Sequence, residues 1–245
     1  MYRRIACPMF AICLFVVAAS VAAAPAPQTP PTPQQRAAML KQWLQASQAQ
    51  MRSYEWIETT VVSVDGEQKS RTQKRCYFGA DGVLEKVVQN QSEPESSGPP
   101  GVMLPGRLLK HAAAHRKEEM TEYMQSAQAL VHSYVPPQST DIQAAIGAGK
   151  MSMQIIEPNR RVQLNFADFK KPGDQLGVQV EIPTNRLLGL SVNSYLDSPS
   201  DAVVLNVSMA VLPDGTIYAS HTELDAVAKK VTVTVDNSGY RHLAQ

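Results

Sequence analysis

The sequence predicts an α+β protein built on a single curved antiparallel sheet of about ten strands, with the apolar face of the sheet covered by two long helices. Three observations lead to this prediction. Helical and strand-like stretches are segregated along the chain, in the order helix, strands, helices, strands. Most strand-like stretches alternate apolar and polar residues, which is typical of antiparallel strands with one covered face. Two long stretches instead repeat apolar residues at the period of a helix.

Residues 1–23 have the layout of a secretory signal peptide. Arg3 and Arg4 precede an apolar run over residues 5–21, and small residues follow. We expect cleavage after Ala23. A membrane anchor is the alternative, but the run is shorter than the roughly 20 apolar residues that a spanning helix needs. We therefore expect a periplasmic or secreted protein.

Charge and cysteine content exclude several classes of protein. The formal net charge of +1 gives the chain no electrostatic attraction to nucleic acid. No stretch after residue 23 is apolar enough to predict a transmembrane segment in the processed chain. Cys7 and Cys13 lie in the predicted signal peptide, so Cys76 would remain alone, which is not the pattern of a disulfide scaffold. No histidine or asparagine is near Cys76, which favours a small buried side chain over a nucleophile.

A proline-rich linker, residues 24–33, leads into the first predicted helix, and residues 34–245 are expected to form a single α+β domain. Thr32 is a suitable N-cap, Pro33 suits the first helical position, and Gln35 can complete a capping box. An apolar stripe at helical spacing then continues to about Arg52, and its members are Ala37, Leu40, Trp43, Leu44 and Met51.

Three strand-like runs follow from Tyr54, joined by turns at Asp65-Gly66 and residues 79–82. Asp-Gly between such runs is a strong hairpin signal. A flexible loop is expected over residues 90–101. In the middle run Lys69, Arg71, Gln73 and Arg75 fall on one face and Thr72, Cys76 and Phe78 on the other, where Lys74 is an exception. This alternation predicts one solvated face and one covered face.

The second long helix is expected over about residues 105–134, ending before Pro136-Pro137. Its apolar stripe consists of Leu109, Ala113, Met120, Tyr123, Met124, Ala127, Val131 and Tyr134. A short helix is expected from Asp141 to Gly147 or Gly149. The rest of the chain predicts a meander of strands over residues 151–156, 161–166, 175–182, 186–196, 202–212, 216–224 and 230–235.

The helix that runs into "YEWIETTVVSVDGEQKSRTQKRCYF", together with the late meander "VVLNVSMAVLPDGTIYASHTELDAVAKKVTVTV", resembles the layout of the LolA/LolB-type lipoprotein-carrier superfamily. The resemblance is one of pattern and contains no short signature from which a functional residue could be transferred. It implies an incomplete barrel of antiparallel strands with helices on its concave face. It also implies a cavity between them that takes acyl chains or other lipophilic groups.

We therefore expect a non-enzymatic protein that binds a lipophilic ligand or a lipid-modified polypeptide, such as a lipoprotein, between sheet and helices. The residues expected to line this cavity are Trp43, Leu44, Trp56, Met120, Met124, Val203, Leu205, Val207 and Met209. Methionine thioethers suit adaptable apolar cavities, although they also fill irregular cores. The alternative is an envelope interaction or scaffold module with a filled core and no small-molecule ligand. The sequence leaves the oligomeric state open.

The sequence predicts no cofactor and no catalytic residue. His111, His115 and Glu118 cluster on one side of the second helix, and two histidines one turn apart can bind zinc or copper. This cluster lies opposite the apolar stripe, which favours a solvated face over a sheltered metal site. The chain contains no Gly-x-Ser-x-Gly elbow and no phosphate-binding glycine loop. No nucleophile, base and orienting group come together in local sequence.

Overall fold

The computed structural model describes Gln42 and residues 45–92, 106–184 and 186–243, with only the backbone described at residues 106–114, 116 and 117. These residues belong to the unit Thr32–Gln245. The predicted signal peptide, the linker and most of the first predicted helix lie outside the described residues. The first part of the chain contains helix α1 (described at residues 42 and 45–51) and strands β1 (Tyr54–Val64), β2 (Glu67–Phe78) and β3 (Leu84–Ser92). Helices α2 (Gly106–Tyr134) and α3 (Ser139–Gly147) follow. The rest of the chain forms strands β4 (Met151–Glu157), β5 (Arg161–Ala167), β6 (Gln175–Glu181), β7 (Arg186–Tyr195), β8 (Ala202–Val211) and β9 (Ile217–Ala226), a 3₁₀ turn (Val227–Lys229) and strand β10 (Val231–His242).

The ten strands form one antiparallel sheet in the order β3-β2-β1-β10-β9-β8-β7-β6-β5-β4. Neighbouring strands are consecutive in the chain except β1 and β10, whose pairing joins the first hairpin to the late meander. Within the described residues the sheet does not close, because β3 and β4 remain at its two edges. The predicted single antiparallel sheet is confirmed, and its open edges match an incomplete barrel.

The main core lies on one face of the sheet, which we call the inner face. Val192 of β7 lies opposite Leu205 of β8, and Leu205 lies opposite Leu224 of β9, so their side chains share this face. The buried residues of this core are Ala127, Val131, Tyr134, Ala145, Phe166, Leu176, Val178, Leu187, Val192, Val203 and Leu205. Each large apolar side chain buried in this way contributes about 1.5–3 kcal/mol to folding, so this region is the most firmly packed part of the sheet.

Helix α2 packs on the inner face through its C-terminal half. Ala127, Val131 and Tyr134 are buried there, which follows the predicted apolar stripe. The cover of the sheet by two long helices is not confirmed, because α1 is described only near its end and α2 only in its second half at the level of side chains. None of the helices among the described residues is both long and apolar enough to cross a membrane.

A buried hydrogen-bond group attaches the end of α2 to the sheet. The Tyr134 hydroxyl donates to the Asp174 carboxylate and lies 3.0 Å from the Ser194 hydroxyl of β7. The same carboxylate accepts the backbone N–H groups of residues 169–171. The helix, the loop before β6 and strand β7 therefore share one anchoring point.

Two strands are longer than the sequence predicts. Strand β3 continues to Ser92, into the segment expected to be a flexible loop. Strand β10 continues to His242 instead of ending at residue 235, although its extension "DNSGYRH" is rich in turn-forming residues. Pairing with β1 holds this extension in the sheet, and Gly239, with φ of 64°, accommodates the accompanying register shift.

Candidate ligand-binding cleft

Strands β9 and β10 part at one end of the sheet, and the pairing of each with its other neighbour, β8 or β1, is irregular there. The registered pairs between β9 and β10 end at His221 and Asp236. The register between β8 and β9 shifts after Ser208, and β10 continues alongside β1 through a shift between Glu55 and Ile57. Register shifts of this kind change the direction of side chains and disrupt the pairing of strands locally. They leave a gap at this end of the sheet.

The gap is a solvent-accessible cleft of about 280 Å³, which we call the aromatic cleft. Its walls come from α1 and four strands. The lining residues are Gln48, Met51, Trp56, Glu58, Met209, Ile217, Tyr218, Ala219, Asn237 and Tyr240. The lining thus combines large apolar surfaces with the polar side chains of Gln48, Glu58 and Asn237 and the hydroxyls of Tyr218 and Tyr240.

Tyr240 lies at the centre of a group of aromatic rings. Its ring stacks on that of Trp56 at a centroid distance of 5.6 Å, and the ring of Tyr218 lies 4.4 Å away. The Phe78 ring lies 6.1 Å from that of Trp56, in a tilted arrangement. Burial raises the pKa of Tyr240, so this residue presents a neutral ring and hydroxyl to the cleft. Such rings offer broad apolar surface at little cost in side-chain freedom.

Hydrogen bonds fix the orientation of the cleft walls. The Trp56 indole Nε1 donates to Asn237 Oδ1 at 3.1 Å, and Asn237 Nδ2 donates to the Ala219 carbonyl at 3.0 Å. One asparagine therefore holds β1 and β9 against β10. Glu58, only 8% exposed, accepts a hydrogen bond from Lys86 Nζ at 2.5 Å.

The end of α1 is attached to the same region. The Ser47 hydroxyl accepts the backbone N–H of Ile217 at 3.0 Å, and Gln50 Oε1 accepts the Thr216 hydroxyl at 2.9 Å. Just after the helix, the Tyr54 hydroxyl donates to Asp214 at 2.8 Å. These contacts keep Gln48 and Met51 of α1 in the lining of the aromatic cleft.

A second cleft of about 230 Å³ lies beside the middle of α2. Its lining residues are Tyr123, Ser126, Leu130, Leu196, Asp197 and Asp201. The Tyr123 hydroxyl donates to Asp201 at 2.5 Å, so the most prominent polar groups of this cleft already bond to each other. It is smaller and less apolar in its lining than the aromatic cleft.

The structure separates the residues that the sequence predicts to line a cavity. Trp56 and Met209 meet in the aromatic cleft. Val203 and Leu205 belong to the packed core, and Val207 packs at its margin. Met120 and Met124 are half-buried on α2, whereas Trp43 and Leu44 lie outside the described residues.

The described members of the candidate metal-binding group, His115 and Glu118, lie on an exposed face of α2. His115 pairs with Glu119 at 3.2 Å on an exposed helix face, Glu118 is exposed there, and the His111 side chain lies outside the described residues. No group of metal-ligating side chains is found within the part of the chain that the structure describes. Cys76 is fully buried, and burial raises the pKa of its thiol, which is the environment of an inert cysteine.

Sequence reasoning missed most of the cleft. Tyr240 and Asn237 lie beyond the predicted end of the last strand, and Glu58 looked like an ordinary polar position in a β-rich run. The tyrosine in "SGYRH" was the available signal. An isolated aromatic residue in a polar segment indicates a covered position more strongly than the residues around it indicate a turn.

No family model matches the sequence. No curated protein matches it either. Two solved structures match the fold. The LolA superfamily protein NE2245 from Nitrosomonas europaea is 11% identical, with 84% of this chain and 94% of that chain covered and a TM-score of 0.34. A DUF1329 family protein from Desulfovibrio piger is 9% identical, with 83% and 92% covered and a TM-score of 0.30. The first of these structures bears the name of the superfamily whose layout the sequence resembles.

Proposed function

We propose that the protein binds a lipophilic ligand, or the lipid chain of a modified polypeptide, in the aromatic cleft, and that it binds without catalysing a reaction. The observation that carries this proposal is the cleft itself, about 280 Å³ of accessible space lined by apolar and aromatic side chains. Most small-molecule sites combine such walls with a few polar groups.

The lining favours an apolar ligand for an energetic reason. Removing apolar surface from water contributes about 25 cal/mol per Å², and the partly exposed Met209 and Tyr240 offer such surface to a ligand. Trp56 and Ile217 are already largely buried and add close contacts. Asn237 contributes little to recognition, because its amide already bonds to Trp56 and to the Ala219 carbonyl.

Volume restricts the size of the ligand. The aromatic cleft is slightly smaller than the roughly 300–1,000 Å³ of typical small-molecule sites. It therefore suits a single acyl chain or a small ring system rather than a whole bilayer lipid. A ligand beneath the C-terminal half of α2 is disfavoured, because buried core side chains such as Leu176, Val192 and Val203 fill that space.

The signal-like segment over residues 1–23 supports action outside the cytoplasm. An exported carrier of lipophilic groups is consistent with both this segment and the cleft.

The test is a titration with the uncharged fluorophore N-phenyl-1-naphthylamine. Ala219 lines the cleft, whereas Ala210, opposite Tyr218 in the neighbouring strand, does not. We expect the fluorophore to bind the wild-type protein saturably. Ala219→Leu should lower its affinity at least tenfold, because the larger side chain fills the cleft. Ala210→Leu should leave the affinity unchanged. Absence of saturable binding, or equal binding by both variants, contradicts the proposal.

An interaction module is a second candidate function, favoured by the exposed edge strand β4. Met153 and Ile155 lie opposite Leu164 and Val162 of β5, on the inner face, yet they are 62% and 61% exposed. Residues 151–156 contain no charge or proline, which are the usual protection of an edge strand against pairing with another chain.

A pair of variants distinguishes the two functions. We call Met153 and Ile155 the apolar row of β4. If β4 binds a protein partner through this row, Met153→Lys abolishes binding of that partner. Gln154→Lys changes the neighbouring position on the opposite face and therefore weakens binding less. Neither variant changes fluorophore binding in the aromatic cleft. A partner recovered equally by both variants excludes the apolar row as its binding surface.

A further inference from the structure

The inner face continues beyond the aromatic cleft onto β2 and β3. Trp56 lies opposite Cys76, Cys76 lies opposite Lys86, and Glu58 lies opposite Lys74. Directly opposed residues of antiparallel strands project to the same side. Lys74 and Lys86 therefore extend the same face that carries Trp56 and Glu58.

The charges on this part of the inner face do not balance. Lys86 pairs with Glu58 at 2.5 Å, and Glu58 is nearly buried. Lys74 is half-buried and, within the described part of the chain, forms no ion pair. Two ammonium groups thus face one carboxylate. Since a partly desolvated cation is costly without a partner, this surface favours an anion.

The position of Lys74 is unusual for its strand. Arg71 and Arg75 lie on the outer face, opposite Val61 and Ile57, and Arg75 pairs there with Glu55. Lys69 lies at a register shift and pairs with Glu67. Lys74 is the residue that breaks the alternation in the sequence, and it does so on the side of the cleft. A lysine needed only for solubility would serve as well on the solvated face.

Lys74 and Lys86 both neighbour Cys76 on the inner face, because Cys76 lies opposite Lys86 and Lys74 precedes it by two positions in β2. Burial and then the Glu58 carboxylate raise the pKa of the thiol, whereas Lys86 and Lys74 act in the opposite direction. Glu58 occupies one of the three N–H donors of Lys86, which leaves donors on both lysines for a further oxygen ligand.

We propose that the ligand of the aromatic cleft is a single-chain amphiphile with an anionic head group, carboxylate or phosphate, which Lys74 and Lys86 bind while its apolar tail lies against Trp56 and Tyr240. This inference rests on the proposed binding function and specifies its ligand class. Charge-assisted hydrogen bonds hold the head, and burial of apolar surface holds the tail.

The test compares four ligands that share one tail: dodecanoate, dodecyl phosphate, dodecanol and dodecyltrimethylammonium. Each is titrated below its micelle concentration, or for dodecanol below its solubility limit, into detergent-free full-length protein at pH about 8, where a fatty acid is ionised. We expect the better anion to bind about tenfold or more tighter than dodecanol, and the cation to bind weakest. The tighter anion identifies the head group.

Variants locate the head-group site. Lys74→Gln is expected to weaken anion binding about tenfold and to leave dodecanol binding unchanged, whereas Lys74→Arg retains the anion. Lys69→Gln, an exposed control near the start of β2, changes neither. Urea unfolding of each variant checks that the fold is intact.

The outcomes separate the two proposals. Equal binding of dodecanol and the anions, tightest binding of the cation, or an unchanged anion affinity in Lys74→Gln overturns the anionic head group but leaves the lipophilic cleft in place. Binding of none of the four ligands overturns both.

Discussion

Tyr134 joins three parts of the fold through a single hydroxyl. It is 1% exposed, donates to the Asp174 carboxylate and contacts Ser194. Asp174 also organises the loop before β6 through backbone N–H groups. A hydrogen bond between a buried hydroxyl and a carboxylate contributes more than an exposed neutral one.

We expect Tyr134→Phe to lower the free energy of unfolding by about 1–3 kcal/mol, because the carboxylate loses a buried donor. Tyr195→Phe is the matched control, since its hydroxyl bonds to the exposed Pro172 carbonyl at 2.8 Å. Its cost should stay within about 0.5 kcal/mol. Urea unfolding measures both, and equal costs would show that the Tyr134 hydroxyl does not anchor α2.

Asp214 links the turn between β8 and β9 to the start of β1. The backbone N–H of Thr216 is the main cause that holds the pKa of Asp214 below its usual value, with help from the Tyr54 hydroxyl. A carboxyl with a lower pKa in the folded chain stabilises the fold above its unfolded pKa of about 3.9. That stabilisation is lost as the pH falls through the folded pKa.

Asp214→Asn should therefore be less stable than the wild-type protein at pH about 7, with the difference shrinking as the pH falls below about 4. Urea midpoints measured across this range give the comparison. A difference that stays constant with pH would show that ionisation of Asp214 does not stabilise the turn.

Trp56 and Tyr240 show how far single positions can be predicted. Trp56 is among the residues that the sequence predicts to line a cavity, and it lies in the aromatic cleft. Tyr240 follows a segment with strong turn propensity, and only its pairing with β1 brings it back beside Trp56. Local propensity carries no information about that pairing.

At the level of elements, β10 depends on one glycine to remain in the sheet. Gly239 has φ of 64°, a region that favours glycine, and an added Cβ there would meet Ile57 only at an ordinary contact distance of 3.7 Å. The cost of a side chain at this position is therefore backbone strain rather than a clash.

We expect Gly239→Ala to destabilise the protein by about 1 kcal/mol or more. Gly147→Ala, at the end of α3, lacks a positive φ and meets nothing within 4 Å, so it should be neutral or slightly stabilising. Chemical unfolding of both variants tests the difference. If Gly239→Ala proves as stable as Gly147→Ala, the bulge does not require glycine.

Periodicity was enough to predict most elements, because each has a one-sided environment. The apolar stripe of α2 is buried where Ala127, Val131 and Tyr134 meet the core. Strand β3 is the contrary case: all of its residues are exposed, and it extends into a polar segment that composition alone would predict to be a loop. Backbone pairing with β2, not burial, determines where β3 ends.

At the level of the whole molecule, the location of the candidate site depends on long-range pairing. Val203 and Met209 belong to one alternating strand, yet the first lies in the packed core and the second in the cleft. Alternation predicts that both face inward. It does not predict that the sheet is filled beneath α2 and open near α1, because that difference arises where β9 and β10 part.

The central claim is that a lipophilic chain lies in the aromatic cleft, against Trp56. The sequence contains two tryptophans, so the variant Trp43→Phe leaves Trp56 as the only tryptophan fluorophore. A fatty acid with a terminal bromine quenches tryptophan emission by near contact. Titration of this acid into the Trp43→Phe protein therefore reports directly on the cleft.

We predict saturable quenching of Trp56 at one ligand per chain, no quenching by the unbrominated acid, and loss of the effect when Ala219→Leu is added. Unquenched Trp56 emission at saturating concentrations of the brominated acid would contradict the claim.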